Sequence, residues 1–235
     1  MQRYYQDDDY FEGGESGYSD SSYSDQEQAL KATFRCLMRN LEKRGMTGGS
    51  LLEIGCGYGY LLAEARDHFE TLVGTDFSPE GARRSREFGD EVFEGGVESL
   101  PDGLKFDCII ATHVIEHVYD PVHFVKALIQ HANPGAVIVL AAPDMGGMLR
   151  KVMGSRWASF KLPEHVLYFN ATTLGTVMRT AGIIEPALFP YPHAFPISLI
   201  ASKFHLPVPK FVGQMNVWVP ATTVALYGRI SNGES

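Results

Sequence analysis

SLLEIGCGYGYLLAEARDHFETLVGTD, residues 50–76, decides the fold. An apolar run (50–54) leads into a glycine-rich turn, then into a helical stretch (58–68), then into a second apolar run (71–76) ending on Asp76. The alternation continues outward. FDCIIAT (106–112) and AVIVLAA (136–142) are separated from their neighbours by helical patterns at 79–88 and 120–131. Short strands alternating with helices predict a parallel sheet covered on both faces. CIIA and VIVLAA show no polar–apolar alternation, as expected of strands buried on both sides. The expected fold is α/β and doubly wound.

The flanks are less regular. DQEQALKATFRCLMRNLEKRG places Leu30, Phe34, Leu37, Met38 and Leu41 at helical spacing, with Asp25 as expected N-cap and Gly45 as stop. Residues 146–170 read as a loop-rich insertion and 172–182 as a helix ending at Gly182. Two proline-broken aromatic stretches (188–212) precede a last strand, 223–230, expected at the sheet edge.

Of the 235 residues 45% are hydrophobic and 20% charged. At that length a full core needs neither disulfides nor structural metal. The 28 acids and 20 bases give a net charge of −8. Residues 1–30 hold eight of the acids and one base, so the body is nearly neutral. Without clustered Lys and Arg, no nucleic-acid partner is expected. Cys36, Cys56 and Cys108 form neither a disulfide framework nor a zinc motif, and no signal-like start or membrane-length apolar run is seen. The expectation is a cytoplasmic protein, monomeric or homodimeric, without stable membrane insertion.

Residues 1–25 carry Tyr4, Tyr5, Tyr10, Tyr18 and Tyr23 among Asp, Gly and Ser. They read either as a lid over a ligand or as an acidic solubilising tail. The expected organisation is a lid and helix (1–45) followed by one domain (46–235).

Gly55, Gly57 and Gly59 stand where a strand meets a helix, a place where backbone N–H groups approach a ligand closely. Asp76, at the tip of the next strand, is placed to accept both ribose hydroxyls; the alternative is an N-cap beside Ser78 and Pro79. A dinucleotide site wants GxGxxG, and the third glycine is replaced here by Tyr60.

These residues resemble the class I S-adenosylmethionine-dependent methyltransferases, with E/D-x-G-x-G-x-G after the first strand and an acid ending the second. The resemblance implies a Rossmann-like sheet of seven strands, mostly parallel, with an antiparallel edge strand. It also implies S-adenosylmethionine as cofactor, with S-adenosylhomocysteine as product. Carried over, Glu53, Gly55, Cys56, Gly57, Gly59 and Tyr60 face the methionine part. Asp76 takes the ribose, Phe77 packs on the adenine, and Thr112 and His113 close the pocket. GGVESLP (95–101) corresponds to a family stretch that often bears an Asp where this chain has Gly96, so Val97 or Glu98 would replace the contact to the adenine amino group.

His113, Glu116 and His117 follow the fourth strand at i, i+3 and i+4, on one face if the stretch is helical. They resemble an element of ubiquinone-pathway O-methyltransferases and of many sugar and natural-product methyltransferases. Three roles stay open: a general base, two His and a Glu on a divalent ion, or a pocket floor held by backbone hydrogen bonds. WASFKLPEHVLYFN (157–170) resembles an element of a bacterial methyltransferase subgroup and adds His165 as a second candidate base, with Trp157 and Tyr168 on the acceptor side. The combined reading is an O-methyltransferase of a small-molecule hydroxyl. An N-methyltransferase, or an interaction module with an idle pocket, is the alternative. The aromatic tail, FPYPHAFPISLIASKFHLPVPKF, is expected to wall the acceptor site or to form a dimer contact. With Lys203 and Lys210 as its only lysines, it is not expected to act as a strong lipid anchor.

Overall fold

The computed structural model describes residues 24–157, 159–161, 163–203 and 207–231. The tyrosine-rich head through Tyr23 lies outside them. A 3-10 turn (Ser24–Gln26) leads into α1 (Glu27–Glu42), whose Leu30, Phe34, Leu37, Met38 and Leu41 are all buried. Asp25 is not the N-cap: it belongs to the 3-10 turn, and Gln26 holds the cap position without a side-chain cap bond.

Then follow β1 (Ser50–Ile54), α2 (Tyr60–Ala65), β2 (Thr71–Asp76), α3 (Pro79–Ser85), β3 (Glu91–Glu94), β4 (Phe106–Thr112), α4 (Pro121–Gln130) and β5 (Ala132–Pro143). Beyond the sheet's first half come α5 (Met148–Met153), α6 (Ala171–Ala181), β6 (Ile184–Leu188) and β7 (His193–Pro196). The described chain closes with α7 (Ile197–Lys203), α8 (Lys210–Gly213), β8 (Asn216–Val219) and β9 (Thr223–Arg229). Asn170 starts α6 with a capping box shared with Thr173, and Gly182, left-handed at φ +113°, ends it.

The seven-stranded sheet runs β3-β2-β1-β4-β5-β9-β6, and β7 pairs with β8 in a separate ribbon. β1 to β5 run parallel to one another, whereas β9 is antiparallel to both β5 and β6. The antiparallel strand therefore lies one place in from the edge rather than at it. Its apolar Val224, Ala225 and Leu226 are buried, while β6 carries Pro186, which cannot donate to a ladder and suits an edge. Glu185 (φ +48°) lies at a register shift that further isolates β6.

Neighbouring β1 residues enter opposite cores. Leu51 packs under α1 and α2, and Leu52 packs under α4 and α6. The carboxyl ends of β1, β2 and β4 thus converge on one rim, where a doubly wound sheet presents its ligand crevice.

Candidate active site

That rim opens on a cavity of ≈ 340 Å³. Its wall on the β1–β2 side is built from backbone. Gly55 (φ +74°) and Gly57 (φ +52°) both occupy the left-handed region, and a Cβ on Gly55 would lie 2.6 Å from Val114 Cγ2. The amides of Gly55 and Cys56 donate to Thr75 O, at 2.8 and 2.9 Å, and pin the loop to the end of β2. Asp76 closes the arrangement: Oδ2 accepts from Gly57 N at 2.7 Å and Oδ1 from Ser78 N at 2.8 Å. Ser78, not Asp76, is the N-cap of α3, accepting from Gly81 N. The Asp76 carboxylate is therefore spent on the loop itself, with lone pairs left on each oxygen for two hydroxyl donors. Burial pushes its pKa up to about 6, against the pull of those two backbone bonds.

Glu53 is 2% exposed, and its Oε2 has no hydrogen-bond partner among the described residues. Burial, reinforced by the nearby Asp76 charge, raises its carboxyl well above the usual range. Phe77 and Gly96 complete this end, with no room for a side chain at Gly96, where a Cβ would meet the Phe77 ring at 2.8 Å.

The other end is built from side chains. His113 follows β4 directly, with its amide on Ala141 O (2.8 Å) and a left-handed backbone, φ +57°. That turn breaks any α-helix through 113–117, and only a 3-10 turn (Ile115–His117) follows. The three side chains consequently do not share a helical face. His113 turns toward Tyr191 and His193, at ring-centroid distances of 6.4 and 5.8 Å. His117 instead meets His165, with centroids 4.8 Å apart.

Glu116 sits between the two groups, 1% exposed, its Oε1 3.4 Å from His113 Nδ1. The contact is at ion-pair distance rather than a hydrogen bond, and among the described residues neither carboxylate oxygen has a hydrogen-bond partner. Burial works to raise this carboxyl, but the facing His113 imidazole and the charges of His117 and His165 outweigh it and hold the group below its ordinary value. Burial takes His165 down to about 4, partly opposed by Glu116. His193 falls to about 3 through burial and the proximity of His113.

Backbone carbonyls hold the insertion here. Glu116 O accepts from Val166 N and Leu167 N, both at 3.0 Å. His117 Nδ1 lies 2.9 Å from Glu164 O, and His165 Nδ1 lies 2.8 Å from Ser159 O. Each ring therefore carries its proton on Nδ1 and its lone pair on Nε2. One ligand atom each from Glu116, His117 and His165 fall within 4.8 Å of one another, so these three fit a cation better than the expected set with His113.

Of the anticipated residues, Glu53, Gly55, Gly57, Asp76, Phe77, Gly96, Thr112, His113, His117 and His165 line the cavity. Cys56, Gly59, Tyr60, Val97 and Glu98 do not. Cys56 Sγ donates to Ser85, the Tyr60 ring packs edge-on to Tyr58, Val97 is in the core, and Glu98 accepts from Gly96 N. Trp157 and Tyr168 form an aromatic cluster with Phe160 beside the cavity. Sequence reading did not place Gln26, at the head of α1, or Leu30 and Phe34 within it at the cavity, whereas Tyr191, His193 and Phe195 belong to the aromatic tail that was expected to wall the acceptor site. The burial of Gln26 shows only in the structure, and the placing of the second group depends on a long-range pairing.

A family model described as a methyltransferase domain matches residues 26–183. The chain belongs to that family. Its sheet and glycine loop are those of an S-adenosylmethionine-dependent methyltransferase domain, and the lining of the β1–β2 end fits that cofactor. A ubiquinone biosynthesis O-methyltransferase of Azorhizobium caulinodans is 30% identical over 105 residues, 42% of each chain. The chain spans about half the length of the curated relatives it matches. Among solved structures, a Thermotoga maritima SAM-dependent methyltransferase, titled "possible histamine N-methyltransferase", aligns with TM-score 0.61 at 20% identity, covering 88% of this chain and 93% of that one. Magnesium protoporphyrin IX methyltransferase from Synechocystis, with bound SAH, aligns with TM-score 0.58 at 15% identity over 98% and 92%. No described helix is long and apolar enough to cross a membrane.

Proposed function

We propose that this protein transfers a methyl group from S-adenosylmethionine to a hydroxyl of a small-molecule acceptor, a sugar or a secondary metabolite, with His113 as general base. The observation that carries the reading is the Glu116–His113 pair. A buried carboxylate faces Nδ1 at 3.4 Å, while Nε2, without a hydrogen-bond partner among the described residues, belongs to a side chain lining the cavity. A carboxylate behind an imidazole fixes the tautomer and stabilises the imidazolium that forms when a hydroxyl proton is taken.

The cofactor, held by Glu53, the Gly55–Gly57 turn, Asp76 and Phe77, supplies an electrophilic methyl. The chain's own part is to hold the acceptor oxygen in line and remove its proton. His165 suits that role less, since a pKa of about 4 makes it a weak base at neutral pH. An amine acceptor would need no base. Glu116 is buried while the His113 side chain is 34% exposed, so a bound acceptor that excludes water there would strengthen the His113–Glu116 interaction.

A second reading has its own observation. The two oxygens of Glu116, without hydrogen-bond partners among the described residues and beside His117 and His165, support a divalent ion there, orienting acceptor oxygens.

The test measures S-adenosylhomocysteine release with matched phenol–aniline and sugar–aminosugar acceptors, for the native protein and His113→Ala. Turnover of hydroxyl members, lost in the variant, is the expected result. Turnover confined to amines and indifferent to the variant would overturn it.

A further inference from the structure

Three polar atoms at the β4–β7 end of the cavity have no place in the chain's own hydrogen bonding. Among the described residues His113 Nε2, His193 Nδ1 and Thr223 Oγ1 have no hydrogen-bond partner, and all three side chains line the cavity. The first belongs to the base proposed above. The other two lie outside that proton transfer, and each carries the cost of a buried polar atom that nothing in the chain offsets.

Packing does not account for them. The His193 ring stacks on Phe195, with centroids 4.4 Å apart at 18°, and stands 6.3 Å from Tyr191. Phenylalanine would make the same stack without an unpaired Nδ1, and valine would match the shape of Thr223 without an unpaired hydroxyl. Both positions are also firmly held. Ala194 N donates to the buried Thr33 Oγ1 of α1 at 2.9 Å, tying β7 to that helix. Thr223 is paired with Pro143, two residues beyond the Ala141 carbonyl that accepts from His113 N. The His193 and His113 rings are 5.8 Å apart. An oxygen bonded to either ring lies about 2.8 Å from its nitrogen, so two oxygens on adjacent carbons span the pair.

One hydroxyl cannot serve all three atoms. Its proton goes to His113 Nε2, one lone pair forms the bond to the methyl carbon, and the other lone pair accepts a single hydrogen bond. Meeting both His193 and Thr223 therefore takes a second oxygen.

We propose that His193 and Thr223 bind the acceptor through a hydroxyl on the carbon next to the one whose oxygen is methylated, which makes the preferred acceptor a vicinal diol. The inference rests on the methyl-transfer reading above and adds two specificity-determining residues to it. Carbohydrate rings and catechols both carry this group, and the aromatic surfaces of Tyr191 and Phe195 suit either.

The test compares acceptors that differ only in the neighbouring hydroxyl: catechol with phenol, 2-aminophenol with aniline, and a methyl pyranoside with its deoxy analogue. S-adenosylhomocysteine release gives kcat/KM, and calorimetry on the protein saturated with S-adenosylhomocysteine gives acceptor affinity. The native protein should favour the hydroxyl-bearing member of at least one pair by about 10–100-fold. His193→Phe and Thr223→Val should each cut that ratio about three- to tenfold, with circular dichroism and S-adenosylhomocysteine affinity matching the native protein. A preference in the catechol pair assigns an aromatic acceptor, and one in the pyranoside pair a carbohydrate. A native ratio near one in every pair by both readouts, or an undiminished ratio in both variants, would overturn the inference. So would equal losses on both members of a pair, because the two side chains would then serve one oxygen. Turnover confined to 2-aminophenol and aniline, with the methyl on nitrogen, would overturn O-methylation while the ratio between those two still reads the role of His193 and Thr223.

Discussion

The two ends of the cavity are made in different ways. At the β1–β2 end the contacts are backbone: left-handed glycines, amides on Thr75 O, and a carboxylate on Gly57 N and Ser78 N. At the β4–β7 end they are side chains: three histidines and a glutamate from the 113–117 turn and the insertion, with His193 from a separate ribbon. A backbone site fixes one ligand and tolerates few substitutions. A side-chain site can change its chemistry without disturbing the fold, so the two ends should fail in separable ways.

The sharpest test of that separation is His113→Ala. Removing a general base costs about 10²–10⁴ in rate. The expected outcome is a fall of that size in kcat, with S-adenosylhomocysteine affinity by calorimetry changed less than about threefold. Joint loss of affinity and rate would merge the two ends into one.

The converse substitution is Gly55→Ala. Its left-handed backbone costs a non-glycine residue about 1–2 kcal/mol, and the added Cβ meets Val114 Cγ2 at 2.6 Å. Together these should weaken cofactor binding about 30–100-fold, measured by the same titration. Unchanged affinity would mean that the loop tolerates a side chain and that the backbone account of this end is wrong.

The same contrast explains what could be read in advance. The glycine turn, Asp76 and strands β1, β2, β4 and β5 were legible because each is a local apolar run or turn, whereas the four-residue β3, with an acid at each end, gave no such run. The place of β9 was not legible either, because a strand's neighbours depend on what the remaining strands can offer, and the bar that Pro186 places on a central position acts only once β6 is recognised as a strand. The histidine cluster was half legible. Spacing brought His113, Glu116 and His117 together, but the left-handed His113 backbone separated them, and His165 arrived through hydrogen bonds from an irregular insertion. His193 was legible only as part of the aromatic tail; its pairing into a separate ribbon had no local signal.

Asp76 gives a smaller, graded test. The carboxylate form accepts hydroxyl donors, and the folded group takes up its proton near pH 6. Cofactor affinity should therefore fall about tenfold per pH unit below 6. Asp76→Asn should bind weakly throughout and lose that slope, measured by titration from pH 7.5 to 5.

The smallest effect belongs to His165, and it separates a structural histidine from a catalytic one. Folding lowers its pKa from 6.5 to about 4, so between those values the unfolded chain binds a proton that the native chain refuses. Its contribution to stability is complete above pH 6.5 and is lost as pH falls toward 4. Asp76 acts in the opposite sense: the folded carboxyl is protonated from about pH 6 downward and the unfolded one only near 3.8, so it adds stability on acidification. His165→Asn removes the first contribution and leaves the second. The variant's Tm should then drop less than the native protein's between pH 6.5 and 5, by about a few degrees for a domain of this size. With His113 as the base, kcat of His165→Asn should stay within about threefold of native at pH 7.5; a hundredfold loss at that pH would move the base to the insertion.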